Sequence, residues 1–440
     1  MDAKLLLLAL GLAGAALAQS LEIRPAVELV YPTAANRGFQ VESSTDLLQW
    51  SPFGQPVFGN QGTLHTFAPA AASGQFFRVA QYNVSDLNAQ LETIRAANKV
   101  PALACAVILS NRIVGLGAVG LRKAGVTDAP VTINDSWHHG SLTKGMTATL
   151  AAMMVEEERL RWNSTLAEIF PDLAPAMNAA WRTVTLEQLC THRSGAPGDL
   201  GPSGIWNQLW AYGGTPRSAR RFLLQKVTAL APNATPGTRY EYSNAGYAIA
   251  GHMIETILNR PWEDVITDRL FTPLGMTSAG FGVPATPRHI NQPWGHQWVN
   301  NQPSPVEPGT NADNPPGIGP AGTVHCSVID LAKYAALHLA GHRANTPLLT
   351  QASFFKLHTP VPNNADYAMG WAGVDRSWAK GMAYTHAGSN LQWFSVIWLA
   401  PQREFGVVAI CNLATGSGTN PGANATDQVA GAMINRFLPN

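Results

Sequence analysis

The residues best suited to chemistry begin in the stretch "SWHHGSLTKGMTATLAAMMVEEERL". Ser141 and Lys144 are three positions apart where an apolar helix starts, which puts both side chains on one face of its first turn. Burial against that helix lowers the pKa of a lysine, so Lys144 can take the serine proton. The pattern predicts an activated serine nucleophile. The structural alternative is a capping serine beside a lysine that reaches out to water.

The Ser-x-x-Lys spacing by itself carries little information, because the chain contains it three times. The other two copies are Ser353–Lys356 and Ser377–Lys380. Only Ser141 follows a glycine and opens a long apolar helix. There the unpaired N–H groups and the positive end of the helix dipole favour negative charge. This context selects the first copy as the candidate site.

Two further motifs offer groups that fit the same chemistry. Tyr242-Ser243-Asn244 is the chain's only Tyr-x-Asn and stands just before another apolar helix. A tyrosine near a lysine can relay protons, because the cation lowers the cost of forming the phenolate. The Asn244 amide can orient both a substrate carbonyl and the lysine.

The third motif is "THAGSN", on a strand near the C-terminus. Gly388 would let a substrate backbone lie alongside the strand that also carries His386. The Ser389 amide can complete an oxyanion hole with the Ser141 amide. A second His-x-Gly, His138 to Gly140, directly precedes the nucleophile.

Helices and strands alternate in a way that can bring these motifs together. From Val84, "VSDLNAQLETIRAANK" predicts an amphipathic helix capped by Ser85. "PALACAVILSNRIVGLGAVGLR" predicts two strands joined by a hairpin. Helical stretches follow to about residue 275, then a Pro/Gly/Asn-rich loop at 291–322 that is typical of a functional rim, then strands and a last helix. Strands at both ends predict one mixed sheet with an inserted helical region, an α/β (α+β) domain.

The first 82 residues differ from the rest of the chain in the pattern of apolar and polar residues. Lys4, the apolar run "LLLLALGLAGAA" and the small residues Ala16 to Ala18 predict a cleaved signal peptide at 1–18, and so a secreted or periplasmic protein. An uncleaved anchor is the alternative, and no later apolar run is long enough for a membrane span. Residues 19–82 contain short alternating runs between Gly, Pro and Asn, which predict a small β-sandwich-like module. Residues 83–440 form the second predicted domain.

Composition narrows the class of protein further. Apolar residues make up 46% of the 440 residues, charged residues 13%, and the formal net charge is +1. This composition has no basic run of the kind that binds nucleic acid, so the sequence does not indicate a nucleic-acid partner. The "GLGAVG" run lies inside a predicted strand, which favours close backbone packing over dinucleotide binding. The sequence favours no metal site, and we interpret the His338/His342 pair as a helix surface.

The four cysteines leave two possibilities open. Cys105 and Cys411 lie on apolar strands and can pair if those strands are neighbours, since export permits disulfides. Alternatively, these two, Cys190 and Cys326 are all small buried thiols.

The order Ser-x-x-Lys, Tyr-x-Asn, His-x-Gly resembles the serine β-lactamase and penicillin-binding protein superfamily. The resemblance is to the branch that holds class C β-lactamases, DD-peptidases, D-aminopeptidases and β-lactamase-like esterases. The motif separations, 242 − 141 = 101 and 386 − 242 = 144 residues, fall in the range used by that branch. Minor signatures agree: "TLEQLCTHRSGAPG", "LFTPLGM", "AGTVHCSVIDLAKY" and "YAMGW". The match covers about Val84 to Leu438. It implies a β-lactamase/transpeptidase-like domain with an antiparallel sheet and a helical region, and the preceding module resembles small immunoglobulin- or fibronectin-like modules.

The resemblance also implies a role for each motif residue. Ser141 is the acylated nucleophile, and Lys144 and Tyr242 share the general-base and general-acid work. The Ser141 and Ser389 amides bind the oxyanion, and no cofactor or metal is implied. The substrate-binding residues implied by the family are Asn244, His386, Gly388, Ser389 and Asn390.

Two departures from the family pattern bear on the substrate. His386 replaces the lysine of the Lys-Thr-Gly form, and a mostly neutral histidine attracts a substrate carboxylate less. If His386 acts as an imidazolium, turnover of carboxylate substrates should fall as pH rises through about 6 to 7. Gln392 and Trp393 stand where a small turn is common, which predicts a narrower acyl pocket.

The function expected is that of a secreted serine hydrolase that forms an acyl-enzyme on an amide or ester. Its substrates would be small molecules, peptides or esters, among them cell-wall peptides cleaved as by a D-Ala-D-Ala carboxypeptidase. A β-lactamase is one alternative. The other is a non-catalytic module that binds peptidoglycan or peptide.

Overall fold

The computed structural model describes residues 26–34, 36–53, 57–59, 62–69, 75–362, 367–414 and 420–438. The predicted signal peptide at 1–18 lies outside the described residues and stays a prediction. The chain divides into two compact units, one that ends at Gln81 and one that begins at Tyr82.

The N-terminal unit is all-β. One small sheet pairs β1 with β5, and the other has the order β3-β2-β4, with β6 also paired to β2. Tyr31, Phe39 and Val41 are buried in its core, and the Tyr31 and Phe39 ring centroids are 6.2 Å apart. The predicted all-β module is therefore confirmed. Its strands are β1 Ala26–Pro32, β2 Arg37–Ser44, β3 Ser51–Pro52, β4 Val57–Phe58, β5 Thr63–Pro69 and β6 Phe76–Asn83.

The larger unit combines strands and helices in the predicted α/β arrangement. Its strands are β7 Ser85–Asp86, β8 Ala102–Leu109, β9 Arg112–Gly120, β10 Ser136–His138, β11 Gly280–Phe281, β12 Gly295–Val299, β13 Gln302–Val306, β14 Val324–Ser327, β15 Ala372–Arg376, β16 Gly381–Ser389, β17 Phe394–Ala400 and β18 Phe405–Cys411. Its helices are α1 Asn88–Asn98, α2 Leu142–Glu156, α3 Leu166–Ile169, α4 Leu186–Cys190, α5 Ile205–Trp210, α6 Pro216–Ala229, α7 Asn244–Leu258, α8 Trp262–Ile266, α9 Gly319–Gly322, α10 Val328–Gly341, α11 Gln351–His358 and α12 Pro421–Phe437.

Strands from both ends of this unit form one seven-stranded sheet. The order is β15-β16-β17-β18-β8-β9-β7, antiparallel except where β7 meets β9. The N-terminal and C-terminal strands of this unit meet where β18 pairs with β8, from Phe405 opposite Leu109 to Cys411 opposite Leu103. Both strands are almost wholly buried, because α1 and α12 cover one face of the sheet and α10 the other. The predicted sheet with helices inserted between its halves is confirmed.

The glycine-rich run lies inside β9, as predicted. A Cβ at Gly117 would stand 2.8 Å from Asn88 Oδ1, so the glycine lets α1 lie directly on the strand. The predicted Ser85 cap is wrong. Ser85 belongs to β7, and the Asp86 carboxylate accepts a hydrogen bond from the Asn88 N–H at 2.8 Å instead.

The Pro/Gly/Asn-rich passage at 291–322 is not a structureless rim. It contains the β12–β13 hairpin, two 3₁₀ turns at Thr310–Ala312 and Pro316–Ile318, and α9. Its end packs against α2 and α7, the helices that follow Ser141 and Tyr242.

A buried ion-pair cluster holds the helical region together around α7. Arg220 on α6 is fully buried and binds Glu255 on α7 at 2.7 Å and Glu263 on α8 at 2.8 Å. Removing one partner of such a cluster leaves an uncompensated buried charge. The cluster thereby fixes the helix that presents Asn244.

All four cysteines are buried free thiols. Cys105 lies opposite Ala409, while Cys411 lies opposite Leu103, so the strands are neighbours but the two sulfurs are out of register. Burial raises the pKa of the Cys411 thiol to about 12. Of the two possibilities, the structure has the small buried thiols.

No helix in the described part of the chain is long and apolar enough to cross a membrane.

We expect two mid-helix glycines to respond oppositely to alanine. A Cβ at Gly431 on α12 meets nothing within 4 Å, so Gly431→Ala should raise the free energy of unfolding by about 0.5–1 kcal/mol. A Cβ at Gly251 on α7 would lie 2.3 Å from Pro320, so Gly251→Ala should lower it by about 1–3 kcal/mol. Denaturant unfolding of both variants measures this, and shifts of the same sign would contradict the packing.

Candidate active site

Ser141 lies at the entrance of α2 and does not act as its cap. β10 leads through Gly140, at φ +50°, into Ser141, and α2 follows. The Ser141 side chain accepts no capping hydrogen bond; its Oγ lies 3.0 Å from Lys144 Nζ. Lys144 is fully buried. The structural alternative, a capping serine with a lysine in water, is therefore wrong.

The Lys144 amine is surrounded by three oxygens. Its Nζ lies 2.7 Å from Asn244 Oδ1, 2.7 Å from the Ala321 carbonyl oxygen and 3.0 Å from Ser141 Oγ. Burial lowers the pKa of Lys144 well below its ordinary value. A neutral amine has two hydrogens and one lone pair, and an amide oxygen and a carbonyl can only accept. The hydrogens go to those two groups, which leaves the lone pair facing the serine hydroxyl.

The Tyr242 ring lies beside the Lys144 amine. The centroid of its ring lies 4.8 Å from Lys144 Nζ. Burial raises the pKa of Tyr242, and interaction with the Ser141 side chain opposes that shift only in part. The phenol therefore keeps its proton at neutral pH and is suited to donate it.

His192 fixes the position of Tyr242. The ring centroids of the two residues are 4.3 Å apart, and the Ser243 N–H donates to His192 Nδ1 at 3.1 Å. His192 Nε2 lies 3.2 Å from the Tyr367 hydroxyl, which in turn lies 3.3 Å from His386 Nε2. Because His192 Nδ1 accepts a hydrogen bond, its neutral ring carries the hydrogen on Nε2 and donates to Tyr367. Sequence reasoning assigned no role to His192 or Tyr367, although both stand in the minor signatures.

His386 is buried and neutral. Burial lowers the pKa of His386 to about 3. The hypothesis that His386 acts as an imidazolium near pH 6 to 7 is therefore wrong, because no charge on this ring titrates there. Its Nδ1 has no hydrogen-bond partner within the described ranges.

Glycines bring the nucleophile turn and β16 into direct contact. A Cβ at Gly388 would lie 2.0 Å from the His139 carbonyl oxygen, and one at Gly140 would lie 2.5 Å from Ser389 backbone atoms. The space beside Gly388 is thus filled by the chain itself, and the expectation that it leaves room for substrate is wrong. The contact places the Ser141 and Ser389 backbones side by side. The Ser141 N–H donates no hydrogen bond to any described residue.

Asn390 faces the interior of the protein. Its Nδ2 donates to the Ala312 carbonyl at 2.9 Å, and its Oδ1 accepts from the N–H groups of Gln392 and Trp393. Its amide is therefore occupied by the chain, contrary to the predicted role in binding substrate. Ser389 Oγ accepts from the Leu391 N–H at 2.9 Å and keeps its own O–H free to donate.

A cavity of about 660 Å³ is lined by two of the candidate site residues, Tyr242 and His386. Asp427 on α12 is the one charged residue among the described residues that line it. Gln392 and Trp393 do not line this cavity, and both are buried, so the predicted narrowing by these residues is wrong. The remaining walls are mainly apolar or aromatic: Tyr367, Ala372, Ala387, Phe394, Val396 and Trp398.

The other candidate residues of the sequence have structural surroundings. Ser353 and Lys356 bind the carboxylates of Glu156 and Glu187, so the second Ser-x-x-Lys pair does not join its own two side chains. His338 is not on a helix surface as interpreted: it is fully buried, and its Nδ1 lies 2.9 Å from His358 Nε2.

The Beta-lactamase family model matches residues 87–432. The chain belongs to the Beta-lactamase family. This confirms the superfamily indicated by the three motifs.

Individual relatives agree with this assignment. Penicillin-binding protein 4 of Amycolatopsis lactamdurans is 28% identical over 334 residues, which cover 73% of this chain and 82% of the relative. The unguisins hydrolase ungD' of Aspergillus campestris is 25% identical over 67% of this chain, which spans just over half of that relative, 55%. The octameric penicillin-binding protein homologue from Pyrococcus abyssi shares the fold, with a TM-score of 0.63 and 24% identity over 80% of this chain and 79% of its own. The family and these relatives support a hydrolase of the β-lactamase type.

The buried amine should leave a signature in the pH dependence of stability. Because the pKa of Lys144 is lowered in the folded state, the unfolded chain binds one proton more between that pKa and about 10.4. The free energy of unfolding of the wild type, relative to Lys144→Met, should therefore rise with pH in this window by about 1.4 kcal/mol per unit. Denaturant unfolding of both proteins between pH 7 and 9.5 measures this difference. A difference that stays constant would mean that the folded protein holds a charged Lys144.

Proposed function

We propose that the protein is an exported serine hydrolase that forms an acyl-enzyme on Ser141. The observation that carries the proposal is the surroundings of Lys144. Two acceptors, Asn244 Oδ1 and the Ala321 carbonyl, take its hydrogens at 2.7 Å each, and its lone pair faces Ser141 Oγ at 3.0 Å. Such an amine is a base poised to take the serine proton.

The first half-reaction acylates the serine. Ser141 Oγ attacks the substrate carbonyl carbon as Lys144 takes the hydroxyl proton, and the Ser141 and Ser389 N–H groups stabilise the developing oxyanion. The Tyr242 hydroxyl gives its proton to the leaving amine or alkoxide and recovers one from Lys144. The acyl–oxygen bond to Ser141 has then formed, the bond to the leaving group has broken, and Lys144 is neutral again.

Water completes the cycle by the same groups. A water molecule loses its proton to the neutral Lys144 amine as its oxygen attacks the acyl carbon, and Lys144 returns the proton to Ser141 Oγ when the ester bond breaks. Asn244 keeps the amine in place throughout, because its Oδ1 accepts from Lys144. His386 lines the cavity, where its ring gives the wall a neutral polar group.

The charge of the site favours a substrate without a carboxylate. His386 is neutral, and no basic residue stands among the described residues that line the cavity. Arg376 lies beyond Trp398, with its guanidinium carbon 5.9 Å from the centroid of that ring. Asp427 repels a carboxylate and attracts an amine. We therefore propose esters and amides with an apolar acyl or leaving group as the substrate class.

The alternatives have less support. A β-lactam, like a D-Ala-D-Ala peptide, carries a carboxylate, and the described residues that line this cavity include no cation to hold it. A non-catalytic binding protein has no use for a desolvated amine held against a serine hydroxyl. The relatives include both a penicillin-binding protein and an enzyme described as an unguisins hydrolase, so the family hosts more than one substrate class.

Active-site labelling tests the nucleophile directly. A fluorophosphonate probe should modify the wild type and should not modify Ser141→Ala. The turnover of p-nitrophenyl butyrate should be at least about 10³-fold lower in Ser141→Ala than in the wild type. Ser353→Ala is the matched control, because it alters the other Ser-x-x-Lys serine that opens into a helix. It should label and turn over as the wild type does.

Two results would reject the proposed nucleophile. One is a label that persists in Ser141→Ala. The other is full ester hydrolysis by Lys144→Met, since methionine has the length of lysine but cannot take a proton.

Substrate charge tests the specificity. We expect kcat/KM for p-nitrophenyl butyrate to exceed that for the p-nitrophenyl monoester of succinate, whose acyl chain ends in a carboxylate. Asp427→Lys should narrow this ratio by about three- to tenfold, because it replaces repulsion with attraction at a partly solvated distance. Arg376→Gln should leave the ratio unchanged. A preference for the carboxylate ester in the wild type would contradict the proposed substrate class.

A further inference from the structure

His138 and Asp313 stand beside the nucleophile but take no part in the chemistry described above. We propose that they form a positioning pair that holds the two oxyanion donors, the Ser141 and Ser389 amides, at a fixed separation. The inference rests on the proposed function, since it concerns the geometry of the same oxyanion hole.

His138 is tied to the turn that precedes the nucleophile. It is the last residue of β10 and is fully buried. The Gly140 N–H donates to His138 Nδ1 at 3.1 Å, so the side chain accepts from the amide two residues later, as asparagine does in an Asx turn. Because Nδ1 accepts, the neutral ring has its hydrogen on Nε2 and donates it to Asp313 Oδ1 at 3.1 Å.

The segment that holds Asp313 is also tied to the strand on the other side of the oxyanion hole. The Ala312 carbonyl accepts from Asn390 Nδ2 at 2.9 Å, one residue beyond Ser389. Asn390 Oδ1 in turn accepts a hydrogen bond from the Trp393 N–H, and the Trp393 ring stacks on the His138 ring with the two centroids 5.7 Å apart. Ala312 and Asp313 therefore connect to both chain segments that supply an oxyanion donor.

These two chain segments touch each other without any side chain between them. Gly140 has φ +50°, and the place of its Cβ lies 2.5 Å from the Ser389 backbone. Rotation of the His139–Gly140 peptide, which carries the N–H that His138 accepts, would shift the adjoining Gly140–Ser141 peptide and so move the Ser141 N–H relative to the Ser389 N–H. Misplacement of about 1 Å can cost 10²-fold in rate, so a bond that stops this rotation matters to catalysis.

Neighbouring histidines supply no charge of their own to the pair. His325 Nδ1 donates to the Gly282 carbonyl at 2.9 Å, and burial lowers the pKa of His325 to about 4. His139 lies 3.1 Å from the Cys326 carbonyl, and burial lowers its pKa to about 3. These two imidazoles are therefore neutral, and the hydrogen bond from His138 Nε2 to Asp313 Oδ1 at 3.1 Å acts through its direction.

Two matched amide substitutions separate positioning from packing. His138→Asn keeps an acceptor where Nδ1 stands and can still form the Asx turn with the Gly140 N–H. His138→Gln puts its amide near Nε2, where it reaches Asp313, but offers no acceptor to Gly140. Asp313→Asn keeps an acceptor for His138, and Asp313→Ala removes it.

The measurements are kcat and KM for p-nitrophenyl butyrate, the Ki of phenylboronic acid, and the melting temperature of each variant. A boronate forms a tetrahedral adduct on a serine oxygen and so reports the oxyanion hole. We expect Asp313→Asn to stay within about fivefold of the wild-type kcat, and we expect His138→Asn, which keeps the bond to Gly140 but loses the one to Asp313, to lose about tenfold. His138→Gln should lose about 10²-fold in kcat and a similar factor in boronate affinity, with KM changed less than about threefold, and Asp313→Ala should lose about tenfold in kcat.

Equal losses in His138→Asn and His138→Gln would overturn the positioning pair, as would an unchanged boronate Ki in His138→Gln. A lower melting temperature of His138→Gln would also overturn it if kcat did not fall more than KM changed, because such a result would show a purely structural role. If the wild type shows neither Ser141-dependent turnover nor boronate binding, the proposed function itself fails, and the positioning pair fails with it.

Discussion

The burial of one amine is the constraint on which the site depends. Lys144 lies in the interior, where a charge is costly, and its pKa falls well below the ordinary value for lysine. What makes the neutral amine useful is that two of its three neighbours can only accept hydrogen bonds. The Asn244 side chain and the Ala321 carbonyl thereby orient its lone pair toward Ser141.

The three neighbours of the amine come from three different parts of the chain. Ser141 precedes α2, Asn244 opens α7, and Ala321 lies in α9, at the end of the Pro/Gly/Asn-rich passage. Each of those elements must be anchored independently for the distances to hold. The buried Arg220–Glu255 ion pair anchors α7, and the contact of Gly251 with Pro320 anchors α9 against it.

Around the amine, the polar groups of the site are kept uncharged. Burial lowers the pKa of His192 and His386 and raises those of Tyr242 and Tyr367. A chain of neutral donors and acceptors therefore runs from the Ser243 N–H through His192 and Tyr367 to His386, and the accepting His192 Nδ1 makes His192 Nε2 a donor to Tyr367. A site of this kind binds by hydrogen-bond geometry and apolar contact, which is why we connect it with substrates that have no carboxylate.

The sequence by itself determined the family and the α/β class, and it selected the candidate nucleophile and its candidate base. These follow from local features: the spacing of Ser141 and Lys144 on one helical turn, the single Tyr-x-Asn, and apolar strands at both ends of the domain. Such features are encoded within a few residues, so they can be recognised without knowing what packs against them.

Only the tertiary structure decided what surrounds each of these residues. The Ala321 carbonyl reaches Lys144 from 177 positions away, and no local pattern marks a backbone oxygen for that task. The same holds for His386, whose neutrality comes from burial, and for Asn390, whose amide is occupied by the Ala312 carbonyl and by neighbouring N–H groups. Gly388 is a glycine because the backbone of His139 fills the space beside it, which is a contact between segments about 250 residues apart. Burial and the hydrogen bonds of a site depend on the whole fold, and a short motif cannot contain them.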